Sequence, residues 1–197
     1  MSGKPLESVV ESLLFISDAP LTIDRLCAIL EEHERRDVQV AVERLREEYS
    51  REGRGIYLAE VAGGYQFRSR PENADYIRRL ARGKTFRFSR SALETLAMIA
   101  YRQPITRTEI EYLRGVDSGG VLKTLLEKKM IRILGKKDIP GKPLIYGTTR
   151  EFLEVFNLPD LASLPTLKDI HELAEQYADV EQAELPLEGP ATETSEP

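Results

Sequence analysis

At 197 residues, 41% hydrophobic and 31% charged, the chain has the composition of a soluble globular protein with one domain or two small ones. No apolar run nears the roughly 18 residues that span a bilayer, and "MSGKPLESVV" lacks the basic-then-apolar order of a secretory signal. The net charge of −5 is uneven: residues from Glu151 onward carry −11, which leaves +6 on residues 1–150, so the acidic total does not exclude nucleic acid as a partner.

Leu6, Val9, Val10, Leu13 and Leu14 recur at i, i+3, i+4, i+7 and predict an amphipathic helix that stops near Asp18-Ala19-Pro20. Thr22 is placed to cap a second helix with Leu26, Ile29 and Leu30 on one face. The lone cysteine, Cys27, sits among them. It excludes an internal disulfide, fits a reducing cytoplasm and reads as a small buried apolar residue. A third helix over Asp37–Tyr49 buries Val38, Val42 and Leu45. "GIYLAEVAGGYQFRSR" then alternates apolar and polar residues on either side of Gly63-Gly64, the mark of a β-hairpin.

"ADYIRRLARGKTFRFSRS" reads as a helix and a short linker, and its charges after Asp75 are all basic. Ser91-Ala-Leu-Glu94 has the form of a capping box for a helix with Leu93, Leu96, Ala97 and Ala100 as its stripe. Gln103-Pro104 ends it. Thr106-Arg-Thr-Glu109 is a second capping box, opening a helix with Ile110 and Leu113 that Gly115 stops. A third helix starts at Asp117 or Ser118 and carries Val121, Leu122, Leu125 and Leu126. "MIRILGKKDIPGKPLIYGTT" gives two strands around a Gly/Pro-rich loop. A short helix over 151–156 would turn Phe152, Val155 and Phe156 inward. Thr166 opens another with Leu167, Ile170, Leu173, Ala174 and Tyr177. From about Val180 the composition is that of a disordered acidic tail.

Both halves thus read helix, helix, helix, hairpin. Pro20-Leu21-Thr22 matches Pro104-Ile105-Thr106, and Tyr65-Gln66-Phe67 matches Leu144-Ile145-Tyr146. Three helices and a two-stranded wing make the winged helix-turn-helix. The expected fold class is mainly α with small β-hairpins (α+β): two tandem winged-helix domains and a disordered acidic C-terminal tail. The expected boundaries are 1–72, a helical linker 73–88, 89–165, a C-terminal helix 166–179 and the tail 180–197.

No catalytic constellation is legible. His33 and His171 lie in charged helical surroundings and read as surface residues, with no metal-ligand spacing nearby. "RRLARGKTF" has Arg78 where a phosphate loop needs its first glycine, and "GVDSGGVLKT" has Val121 where the lysine must stand. The expectation is a protein with no enzymatic activity, no cofactor and no metal.

The third helices are poor readers of bases. The first offers Gln39, Glu43, Arg46 and Glu47; the second offers Asp117, Gly119, Gly120, Lys123, Thr124 and Glu127. Glutamates oppose phosphate, and base recognition favours Arg, Lys, Asn or Gln. Basic residues gather instead in the linker and at Lys128, Lys129, Arg132, Lys136, Lys137 and Lys142. Two readings fit these: a solvated surface, and salt-sensitive contact with a nucleic-acid backbone. Gly119-Gly120 weakens a helix start by roughly 1 kcal/mol each relative to alanine. It fits either a tolerant first turn or bare backbone that lets another chain approach.

"ESLLFISDAPLT", "GGYQFRSRPE", "SRSALETLAMIAYRQPITRTEIEYLRGVDSGGVLKTLLEKKMI", "PGKPLIYGTTREFLEVFNL" and "LPTL", in that order over residues 5–168, resemble the segregation and condensation protein B family. The resemblance implies a non-catalytic accessory subunit of the bacterial SMC–kleisin complex, cytoplasmic and nucleoid-associated, acting in chromosome condensation and segregation. It implies a homodimer formed through the N-terminal winged helix and binding to the central part of the kleisin subunit, segregation and condensation protein A. The ATPase would belong to the SMC partner, DNA association would be indirect or weak, and no membrane would be involved. Tyr101, Arg107, Tyr112, Gly119, Gly120, Lys123 and Thr124 are the motif positions expected to line or border the kleisin groove. Lys142 stands where the family commonly has arginine, and Asn157 where it commonly has glycine. The competing expectation is a tandem winged-helix transcription regulator that binds a specific operator.

Overall fold

A computed structural model describes residues 5–81, 88–166 and 169. Helix α1 (Leu6–Ile16) packs on α3 (Arg35–Ser50), with α2 (Ile23–Ile29) between them in sequence. Thr22 accepts the Arg25 amide at 3.1 Å, capping α2 as its position predicts. Val10, Leu14, Leu26, Val38 and Val42 are buried, and each contributes about 1.5–3 kcal/mol by leaving water. Cys27 is half-buried against this core. Ile29, expected on the inward face of α2, is 43% exposed, because the burial runs through Leu26 and Leu30 instead.

Strands β1 (Ile56–Val61) and β2 (Gly64–Ser69) pair antiparallel, with Leu58 opposite Phe67. The turn is Ala62-Gly63, with φ of 51° and 71°, the two left-handed residues a tight hairpin needs. Gly64 lies in the strand. A Cβ there would sit 2.8 Å from the Leu21 carbonyl carbon, which is why the position is bare. Leu21 bridges to Tyr65 from the other side. The C-terminus of α3 is closed by Arg70, whose guanidinium donates to the carbonyls of Tyr49, Ser50 and Arg51 at 2.9–3.2 Å.

After a 3-10 turn (Pro71–Asn73) comes the short helix α4 (Ala74–Ala81). The second copy consists of α5 (Arg90–Arg102), β3 (Ile105–Thr106), α6 (Arg107–Arg114), α7 (Gly119–Glu127), β4 (Ile131–Lys136), β5 (Leu144–Thr148) and α8 (Arg150–Phe156). Its sheet has the order β3-β5-β4. A β-bulge between Ile133 and Gly135 shifts the β4 register. Ile105 pairs with Tyr146 as Leu21 pairs with Tyr65, so Tyr65 corresponds to Tyr146, two residues beyond the expected match at Leu144.

Three local expectations are corrected. The cap of α5 is Ser89, which accepts the Ala92 amide at 3.2 Å, and not Ser91. Glu94 turns to Arg90 at 3.1 Å instead of closing a box. The buried stripe of α5 is Ala92, Thr95, Leu96, Ile99 and Ala100, while Leu93 and Ala97 face out. Thr95 tolerates full burial because its hydroxyl donates to the Ser91 carbonyl at 2.8 Å. On α8 only Phe152 is buried; Val155 and Phe156 are 54% and 41% exposed. Asn157 ends α8 in the left-handed conformation, and a 3-10 turn (Leu161–Ser163) follows. The expected C-terminal helix beyond Thr166, apart from Asp169, and the whole tail lie outside the described residues.

Candidate functional site

The second helix-turn-helix is positioned by its caps. Thr106 and Glu109 form the predicted capping box: the Glu109 amide donates to the Thr106 hydroxyl at 3.3 Å, and the Thr106 amide to Oε2 of Glu109 at 2.8 Å. Gly115 stops α6 with φ 72°, a left-handed C-cap. Lys137 in the wing loop donates to Oε1 of Glu109 at 2.5 Å. That bond first, then the amide and hydroxyl of Thr106, holds the Glu109 carboxyl down to about 2.

Arg107, at the first position of α6, reaches across the turn. Its Nε donates to Glu111 at 2.6 Å and a terminal nitrogen to Asp117 at 2.5 Å, and these carboxylates, Glu111 foremost, raise its pKa. Glu111 also accepts the Ser118 amide at 3.0 Å, and Asp117 the Gly119 amide at 3.1 Å. Ser118 is fully buried and held by Arg114, which bonds Ser91 as well. The turn into α7 is therefore braced from both sides, which pre-orders the surface it presents.

The expected groove residues divide into two groups. Arg107 lies against Gly119, whose Cβ would stand 3.0 Å from the guanidinium. Gly120 has nothing within 4 Å of its Cβ position, so its bare backbone faces open space. Thr124 donates to the Gly120 carbonyl at 3.1 Å, and Lys123 is 3.9 Å from Glu127. These five belong to one face at the start of α7. Tyr112, 88% exposed, instead lines a cleft of about 610 Å³ with Arg102, Pro104, Ile105, Thr108 and Leu113. Tyr101 is 48% exposed near the end of α5. Sequence reasoning did not single out Arg102, Pro104 or Thr108. The Gln103-Pro104 break was visible, but not the hollow it leaves beside α6.

Among the described residues no group of three or more His, Cys, Asp or Glu could hold a metal ion, and no helix is long and apolar enough to cross a membrane. His33 is half-buried, and His171 lies outside the described residues. The cleft holds one carboxylate, Glu109, already engaged by Thr106 and Lys137, and offers no nucleophile with a base beside it. Its lining is aromatic and aliphatic at Tyr112, Leu113, Ile105 and Pro104, with the charges of Arg102 and Glu109 beside them.

A family model described as segregation and condensation complex subunit ScpB matches residues 8–167. Segregation and condensation protein B of Syntrophotalea carbinolica is 52% identical over 176 residues, 89% of either chain. The protein of the same name from Moorella thermoacetica is 48% identical over 84% of either chain. A solved structure described as a dimer of the ScpB N-terminal domain complexed with ScpA peptide is 33% identical; the match covers 42% of this chain and 95% of that one, with a TM-score of 0.37. On a family match that runs from α1 to beyond α8, the chain belongs to the ScpB family of segregation and condensation complex subunits.

Proposed function

We propose that the chain is a non-catalytic accessory subunit of the SMC–kleisin complex, working in the cytoplasm on the nucleoid as a dimer that holds the central part of the kleisin. The observation that carries this reading is the family match across both winged helices, joined to a second helix-turn-helix built for docking. The kleisin partner is the one implied by the family resemblance. The relative described as complexed with ScpA peptide is a dimer of an N-terminal domain, the form assigned here to residues 1–72. Phe15 and Ile16, each 76% exposed at the end of α1, support a second copy covering that half. The kleisin is assigned to residues 89–165, on Tyr101, Arg107, Tyr112, Gly119, Gly120, Lys123 and Thr124.

Size-exclusion chromatography with light scattering, alone and with the kleisin, tests the reading. A dimer that shifts into a stable complex supports it, and a chain that ignores the kleisin removes it. Gly120→Phe tests the groove: the open space at Gly120 accommodates the ring, so folding stays intact while kleisin affinity falls about tenfold or more. Unchanged affinity would move the kleisin off this face.

A further inference from the structure

The two wings differ. The first ends in the uncharged turn Ala62-Gly63, whose amides donate to the carbonyls of Leu158 and Pro159 at 2.9 and 2.8 Å. It is occupied by the chain's own backbone. The second wing ends in the loop 137–143, and from Lys128 to Lys142 six basic residues stand against one acidic residue, Asp138. Lys137 is engaged by Glu109. Lys129, Arg132, Lys136 and Lys142 are exposed, and among the described residues their side chains form no ion pair and no hydrogen bond. Several exposed cations elsewhere are neutralised, Arg35, Arg44, Arg54 and Arg107 each meeting a carboxylate. Arg25, Arg36, Arg51 and Arg102 form no ion pair among the described residues but are scattered along the chain, whereas the wing gathers its four within fourteen positions.

Two of these four cations sit on costly backbone. Lys129 has φ 57° just after α7, and Lys142 has φ 41° in the wing loop. The left-handed region is free of penalty for glycine and mildest for asparagine, so lysine at both ends of the wing is charge kept against local strain. Strain of this kind accompanies side chains held for contact.

Placement says what they contact. Arg132 lies opposite Gly147 and Lys136 opposite Leu144. Since successive residues of β5 face opposite ways, the two cations mark opposite faces of the wing. An acidic peptide along the open edge of β4 would reach both faces only with carboxylates at alternate positions and in one fixed register. A duplex offers a phosphate charge per about 1.7 Å of its axis, on two strands, and supplies partners to both faces without any register. The neighbouring helix adds no base reading, since Lys123 is drawn to Glu127 and Asp117 opposes phosphate. We propose that the second wing, through Lys129, Arg132, Lys136 and Lys142, is a sequence-independent contact for the phosphate backbone of duplex DNA.

The test is fluorescence anisotropy of the full chain with short labelled duplexes of two unrelated sequences, between about 50 and 200 mM salt. The expected result is equal affinity for both sequences, falling steeply with salt. In the variant K129Q/R132Q/K136Q/K142Q the slope of log K against log salt should flatten by about 0.9 per lost contact, about 3 to 4 in all. Its melting temperature and kleisin binding should match the parent, which separates this proposal from the subunit reading. R132Q alone, expected to flatten the slope by about 1, keeps the test valid if the fourfold variant melts early. No binding at the lowest salt, or an unchanged slope in the variants, would overturn the proposal. Equal competition by polyglutamate, charge for charge, would overturn it too and assign the patch to an acidic protein segment.

Discussion

The Lys137 ammonium stands 2.5 Å from Oε1 of Glu109, and so fastens the second wing loop to the N-terminus of α6. The same carboxylate closes the capping box, so a single side chain joins the wing to the helix-turn-helix. Its folded pKa of about 2 lies below the ordinary 4.5. The unfolded chain therefore takes up this proton first as pH falls. The stability from Glu109 is complete above about 4.5 and drains away toward 2. Glu109→Gln should lower the melting temperature at neutral pH, by the equivalent of about 1 kcal/mol or less for a pair this exposed. The gap from the parent should close as pH approaches 2, and a gap independent of pH would remove the ionic role.

Two glycines should respond to alanine with opposite sign. At Gly64 the added Cβ meets Leu21 backbone at 2.8–2.9 Å, and neither strand can yield. The Leu21–Tyr65 bridge should be lost, at a cost of about 1–3 kcal/mol. At Gly120 the space is open and the backbone helical, so alanine should stabilise by about 0.4–1 kcal/mol. Urea denaturation of the two variants checks both signs.

Arg70 replaces a capping residue that α3 lacks. Three carbonyls at the helix end converge on one of its nitrogens, and α3 has no basic residue in its last turn. Arg70→Ala should cost about 1.5–3 kcal/mol, as expected when carbonyls lose a charged donor. Chemical denaturation measures it. Arg70→Lys should recover part of the loss, since an ammonium keeps the charge but not the guanidinium's reach.

The turn amides of the first wing should exchange slowly. Ala62 and Gly63 donate to Leu158 and Pro159, whereas hairpin-turn amides open to water exchange freely. Hydrogen exchange by NMR should find both protected, and Arg150→Ala should speed them. Arg150 donates to the Pro20 carbonyl at 2.9 Å, a second tie between the same two halves.

Local signals were legible in the sequence and long-range ones were not. Thr22, the Thr106–Glu109 box and Gly115 act through bonds within four residues, and each stands where its pattern placed it. The stripe of α5 misled because Thr95 reads as polar; its hydroxyl bonds inside the helix and frees the methyl side for the core. Phe156 misled because an aromatic after Phe152 suggests burial, yet it lies against Phe152 and Phe88 at the surface. Of the candidate site, the glycine pair and the Arg107 face could be read from motif positions. The cleft beside Tyr112 could not, since it depends on how α5 and α6 diverge around Pro104. Nor could the Lys137–Glu109 and Arg70–α3 ties, which join residues 19 to 28 positions apart.

Among the described residues strand β4 has a partner on one side only, since the sheet runs β3-β5-β4. A row of free amides and carbonyls invites a neighbouring molecule to add its own strand, and crowding many copies together sharpens that hazard. The bulge between Ile133 and Gly135 breaks the spacing such a neighbour would have to match, and Arg132 and Lys136 bring like charges toward it. The bulge and the charges thus make this edge a poor template for strand addition where copies of the protein are crowded together.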